Sequence, residues 1–156
     1  MKKKTWREKL EHDKGLPKVV AVQGRLVGRW GTKAGDTLVI ALPMEVDELM
    51  RRVPKGKVTT IDQLRVKLAK KHRATIACPI ATGIFAWIAA HAAEEALLAG
   101  KKRITPYWRT LKSGGELNAK YPGGVEKLAE RLRAEGHCVV QRRNRWFVED
   151  YQEKLA

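Results

Sequence analysis

From Ala74 to Ala93 the chain carries no formally charged side chain. No other stretch limits the possible folds as strongly. About 20 apolar residues suffice to span a bilayer, but Pro79 splits this run and alanine dominates it. His91 lies inside it, with Glu94 and Glu95 just beyond. A buried core helix over residues 80–99, stopped by Gly100, accounts for the pattern better than a membrane span. Ile84, Phe85, Trp87, Ile88, Leu97 and Leu98 cover much of its surface. Ala86, Ala89, Ala93 and Ala96 leave one shallow stripe that another backbone can approach closely.

The charge missing from this segment is concentrated next to it. The 156 residues hold 32 Lys and Arg against 17 Asp and Glu, a formal charge of +15. Residues 51–73 contribute nine basic and one acidic side chain, or +8, more than half of that total. Such an imbalance points to a polyanionic partner, DNA or RNA before an anionic membrane surface, with a plain solubility charge as the bland alternative. The length suits one domain with its own core. Two cysteines, Cys78 and Cys138, are too few for a disulfide scaffold. The basic start Met1–Lys4 is followed by no apolar signal segment, so a reducing cytoplasm is expected. The histidines are too scattered for metal-ligand spacing, and no cofactor is expected.

Along the chain, residues 5–14 read as a short helix or a basic arm. LPKVVAV and DTLVIAL read as strands separated by glycine-rich loops. Pro43 opens a helix through MEVDELMRR, with acids early in it. After the turn at residues 54–57, Thr60 and Gln63 form a capping box for the helix IDQLRVKLAKKH. Beyond the long helix, residues 105–124 read as a hairpin turning near Lys112 to Glu116. VEKLAERLRAE is a further helix, and HCVVQRRNRWFVED is a final hairpin turning at Arg143–Asn144. The expected class is α+β, a winged-helix-like body with a helix-turn-helix and two β-hairpins. Residues 1–42 form a basic extension with short strands, 43–136 the main domain, and 137–156 a C-terminal hairpin and tail packed on it.

Two segments carry a resemblance. VPKGKVTTIDQL (Val53 to Leu64) resembles the P-x-G-x-V-x-T-Y-G-x-I segment of the O6-alkylguanine-DNA alkyltransferases. TPYWRTLKSGGELNAKYPGGVEKLAERLRAEG resembles their segment that begins Pro-Cys-His-Arg and ends Glu-Gly. Together they span about residues 44–136, the family's DNA-binding domain. The cysteine that takes the alkyl group corresponds to Tyr107 and its histidine to Trp108, while Arg109 and Glu135 are kept. A thiolate and a base are what the transfer needs. A tyrosine hydroxyl ionises near pH ~10 and tryptophan is no base. The resemblance therefore implies no alkyl transfer. It points to the alkyltransferase-like proteins, which lack this cysteine and are implied to flip alkylated guanine out of DNA and mark it for an excision-repair partner.

On this resemblance Tyr107, Trp108, Arg109, Tyr121, Gly123 and Glu135 outline a lesion pocket, with core packing as the alternative for the aromatics. Duplex DNA is the expected partner. Lys55, Lys57, Arg65, Lys67, Lys70, Lys71 and Arg73 are expected at the phosphates, with Thr60 beside them. Arg142, Arg143 and Arg145 form a basic wing at the last hairpin tip. Thr82 takes the place of the family's arginine that fills the gap left by a flipped base, and Ala86 lies one turn on. The family's flipping tyrosine is Ile61 and its glycine Asp62. The long helix is accordingly either DNA-facing or wholly core. Three readings stand beside this one: a nucleic-acid scaffold without lesion preference, a protein-interaction module, and an enzyme using Cys78. That cysteine lies at a helix start, where amides and the dipole activate thiols.

Overall fold

The computed structural model describes residues 3–156; Met1 and Lys2 of the basic start lie outside the described residues. In chain order the elements are α1 (Trp6–Leu10), β1 (Lys18–Ala21), β2 (Thr37–Ile40), α2 (Pro43–Arg51), β3 (Thr59–Thr60) and α3 (Ile61–Lys71). Then follow β4 (Ile76–Ala77), α4 (Pro79–Leu98), β5 (Thr110–Leu111), α5 (Gly124–Ala134), β6 (Val139–Arg142) and β7 (Arg145–Val148). The architecture is the mixed α+β expected from the sequence.

The uncharged run becomes α4, and the other helices gather on it. α1, α2 and α3 all pack against it. Its Ala86, Ala89, Ala90, Ala92 and Ala93 are buried in one core with Leu10, Val46, Met50, Leu64 and Leu68. The shallow stripe is thus used by the protein's own helices, because methyl side chains let neighbouring backbones come within close packing distance. No helix among the described residues is long and apolar enough to cross a membrane.

Local chemistry sets the helix ends. Pro43 stands in the first turn of α2, and Glu45 accepts from the Leu42 amide at 2.8 Å. Thr60 caps α3 by accepting from the Gln63 amide at 3.2 Å. Gln63 does not complete the capping box: its side-chain oxygen takes the Thr59 hydroxyl at 3.1 Å instead. At the far end of α4, Gly100 adopts φ +93° and the Lys101 amide returns to the Ala96 carbonyl at 3.0 Å, as a left-handed C-terminal stop requires.

Three small sheets tie the helices together. β1 pairs antiparallel with β2, and β2 pairs parallel with β4, so residues of the N-terminal extension share a sheet with the strand that feeds α4. β6 and β7 form the final hairpin, turning at Arg143–Asn144 as expected. The hairpin expected over residues 105–124 is absent. β5 pairs parallel with β3, Thr59 opposite Thr110. The chain then turns through Gly114 and Gly115, both with positive φ, and Glu116 bridges to Phe147 of β7. The glycine pair was read correctly as a turn, but the strands on its two sides join different sheets. The last residues close the structure: the Val58 amide donates to Lys154 and the Ala156 amide to Val58, each at 2.9 Å.

Gly115 is held at φ +85°, and a Cβ built there would overlap the Tyr151 ring. Gly115→Ala combines left-handed strain with overpacking and should cost about 2–4 kcal/mol, measured by urea unfolding. Gly114→Ala, which meets open space at φ +78°, should cost only the strain.

Candidate functional site

The residues that follow Pro106 form a short turn whose first side chain goes inward. Tyr107 is 1% exposed and meets Trp108 and Tyr121 edge-on, with ring centroids 5.4 and 6.0 Å apart. Its hydroxyl donates to Glu94 of α4 at 3.1 Å, and the Arg131 guanidinium lies 3.9 Å from the same carboxylate. Burial pushes the Tyr107 phenol up to about 12, opposed by Arg131 and reinforced by Glu94. It stays protonated across the physiological range. Tyr121 is buried as well, and burial pushes its phenol upward. These two tyrosines are core residues, the alternative that the sequence holds open beside a lesion pocket.

Arg109 and Glu135 form a two-point pair at 2.9 and 2.6 Å, and a third guanidinium nitrogen donates to the Val53 carbonyl at 2.8 Å. Burial works to raise the Glu135 carboxyl, but Arg109, together with Trp108 and His137, holds the group below the usual carboxylate range. Arg109 is thus structural, joining the end of α5 to the chain after α2. Trp108 Nε1 lies beside Glu135 but outside hydrogen-bond geometry. The Arg131 guanidinium covers its ring at 4.4 Å. His137, two residues beyond Glu135, has both ring nitrogens buried without a partner, and burial lowers its basicity.

The sequence-read pocket is therefore divided. Trp108 and Arg109 border a cleft of about 700 Å³ together with Arg51, Lys101, Lys102 and Arg103. A second cleft, of about 720 Å³, opens between α4 and the 118–120 segment. Its wall is the stripe Ile80, Gly83, Ile84, Trp87 and His91, with Asn118 and Lys120 opposite. Ile80 is 55% and Ile84 48% exposed, an unusual outlay of apolar surface on a core helix. Three- and four-residue steps put these side chains on one face. That spacing was present in the sequence, but apolar residues on nearly every side of α4 hid which face was open. At the closed end of the stripe, Trp6 stacks on His91 at 4.4 Å and meets Trp87 edge-on at 4.8 Å. Glu95 accepts from the Trp6 and Arg7 amides, at 3.0 and 3.2 Å.

Thr82 is buried and donates to the Cys78 carbonyl at 2.7 Å, so it cannot reach a ligand; Ala86 is fully buried, and Thr60 is consumed as a cap. Ile80 and Ile84, two residues to either side of Thr82, are the exposed side chains of the stripe. Among the cations, Arg65 donates to the Ala77 carbonyl at 3.0 Å, Lys71 pairs with Glu45 at 2.6 Å, and Arg145 pairs with Glu116 at 2.7 Å. Arg65 is tied into the fold, whereas Lys71 and Arg145 are exposed cations in surface ion pairs. Lys55, Lys57, Lys67, Lys70, Arg73, Arg142 and Arg143 are exposed, and Gly123, at φ +85°, starts α5. Cys78 accepts from the Ala81 amide at 3.5 Å; His72 is engaged by Glu45 at 2.7 Å and His91 by Trp6. Among the described residues no group of three His, Cys, Asp or Glu is placed to hold a metal ion.

No protein-family model matches the chain, and no curated protein matches it. Among solved structures, the fold matches that of S. pombe Atl1 in complex with damaged DNA containing O6-carboxymethylguanine. The TM-score is 0.52 at 17% identity, over 73% of this chain and 93% of that one. The likeness shows a shared fold, the one that the two sequence segments implied.

Because the folded Glu135 carboxyl lies below its ordinary value of 4.5, its contribution to stability is complete above that pH and is lost as pH falls through the lowered value. Glu135→Gln leaves Arg109 half-buried without its counter-charge and should cost about 3 kcal/mol near pH 7. In urea titrations the gap from the parent protein should hold down to about pH 4.5 and narrow below it.

Proposed function

We propose that this chain is a lesion-binding protein of the alkyltransferase-like kind: it takes an alkylated guanine, flipped out of duplex DNA, into the cleft beside α4 and holds it without chemistry. The observation that carries this reading is the open apolar stripe Ile80–Gly83–Ile84–Trp87, on a fold shared with a protein solved with O6-carboxymethylguanine DNA. Ile80 and Ile84 are already about half covered, so burying the rest of both contributes about 1.5–3 kcal/mol in all, on the order of the cost of extruding a base. Ile84 serves as an apolar wedge in the gap, as such side chains do in minor grooves. Gly83 lets the backbone approach, and Trp87 offers a ring to the extruded base.

The absence of transfer chemistry rests on the vacated centre. Tyr107 is sealed in the core, protonated, and bonded to Glu94; nothing next to it takes a proton from it at neutral pH. The partner that acts on the marked lesion is read as an excision-repair protein, on the resemblance alone. Phosphate contacts come from the exposed cations, which makes binding salt-dependent.

The expected result is tighter binding of a duplex containing one O6-alkylguanine than of the same duplex with guanine, measured by fluorescence anisotropy. Ile84→Asp should abolish that preference, costing about tenfold or more on the lesion duplex, while leaving plain-duplex affinity within a few-fold. Equal affinity of the parent protein for the two duplexes sinks the lesion reading and leaves a general DNA-binding scaffold. Release of the alkyl group from the DNA sinks the non-catalytic one.

A further inference from the structure

Between Asp13 and Asp36 the sequence holds Lys14, Lys18, Arg25, Arg29 and Lys33 and no acidic residue. Most of this segment is the connection between β1 and β2, residues 22–36, and it is folded on itself. The Val22 amide donates to the Asp36 carbonyl at 2.8 Å, closing its base. The Gly28 amide donates to the Thr32 carbonyl at 2.8 Å, and the Thr32 hydroxyl lies 2.8 and 2.6 Å from the Leu26 and Arg29 carbonyls. The one carboxylate, Asp36, is turned to the Lys33 amide at 2.9 Å. Arg25, Arg29 and Lys33 are exposed. None of the three has a carboxylate at ion-pair distance among the described residues. The Arg29 guanidinium rests over the Trp30 ring at 4.5 Å. The loop is a preorganised cationic surface rather than a slack linker, so little ordering entropy is lost when it meets an anion.

Its position gives the surface a partner. The Thr37 amide donates to the Thr75 hydroxyl at 2.9 Å, and the Thr75 amide donates to the Thr37 hydroxyl and carbonyl, each at 3.0 Å. This clamp joins the end of the loop to the turn after α3; Arg73 in that turn and Lys70 in the last turn of α3 are exposed. At the other end of the same short strand, the Cys78 amide donates to the Val39 carbonyl at 2.9 Å and α4 begins. Four residues of extended chain separate Thr75 from Pro79, roughly 13 Å. That length corresponds to about four base steps along a duplex.

We infer that the 22–36 loop, with Lys70 and Arg73, is a second, sequence-independent grip on the phosphates of duplex DNA, a few base pairs to one side of the base held in the α4 cleft. This rests on the DNA-binding reading above and extends it to a segment outside the two sequence motifs. The grip supplies affinity and the cleft supplies selectivity. The division is needed because α4 itself offers no Lys or Arg.

The test is a triple variant, Arg25→Gln, Arg29→Gln and Lys33→Gln, with circular dichroism and urea unfolding to confirm its fold. Binding is measured on duplexes of roughly 24 base pairs, plain and with a central O6-alkylguanine, between about 50 and 200 mM salt. The slope of log K against log salt should fall by about 2–3 units, and affinity for both duplexes by at least about tenfold at the lower salt. The ratio between the duplexes should be retained. An unchanged slope overturns the grip and leaves the cleft reading standing. A reduced slope in a protein that never distinguishes the two duplexes supports the grip and overturns the lesion reading. Tighter binding of RNA of the same sequence than of duplex DNA, or no binding of DNA at all, overturns the grip.

Discussion

Burial of the alanine face of α4 is the contact on which the rest of the molecule depends. A twenty-residue helix with bulky side chains all round would hold its neighbours about 10 Å away. Small side chains at Ala86, Ala89, Ala90 and Ala93 let α1, α2 and α3 seat on it directly. Once that face is committed to the core, the side chains about half a turn away are committed to the outside. The open cleft is therefore a consequence of core packing rather than a separate construction.

At the positions where the resemblance places a reaction centre, the chain has packed and paired side chains. Where the resemblance places a cysteine and a histidine, the chain has a phenol tied to Glu94 and an indole covered by Arg131. Glu135, which that family uses to orient the histidine, here pairs with Arg109. The phenol and the guanidinium find partners, whereas Trp108 Nε1 and both His137 nitrogens are buried without one. Tyr107 and Tyr121 there belong to the core, with Trp108 packed against it.

Helix positions were legible because their signals are local: Pro43 and Thr60 at starts, Gly100 and Gly136 at stops, and the uncharged run itself. The last hairpin was legible for the same reason. The 105–124 segment was misread because its pairing is settled at long range, by β3 on one side and β7 on the other, and no local pattern records that. The site was less legible than the fold. A sequence cannot say which face of a uniformly apolar helix stays open. Nor does it show that Arg65 is turned to a backbone carbonyl and that Lys71 and Arg145 pair with carboxylates, while Lys70 and Arg73 are exposed. Charge counts locate a basic neighbourhood; the structure separates cations that build it from cations that face outward.

The stripe on α4 also has a division of its own. Ile80 and Ile84 are open, Trp87 and His91 line the cleft while touching Trp6, and Glu95 is taken up by the amides of α1. An indole thus stands at the boundary between the cleft and the N-terminal helix, in contact with both. The protein carries a chromophore in the wall of that cleft. Because Trp6 lies against it, a change in the packing of the first helix alters the surroundings of two of the chain's five indoles at once.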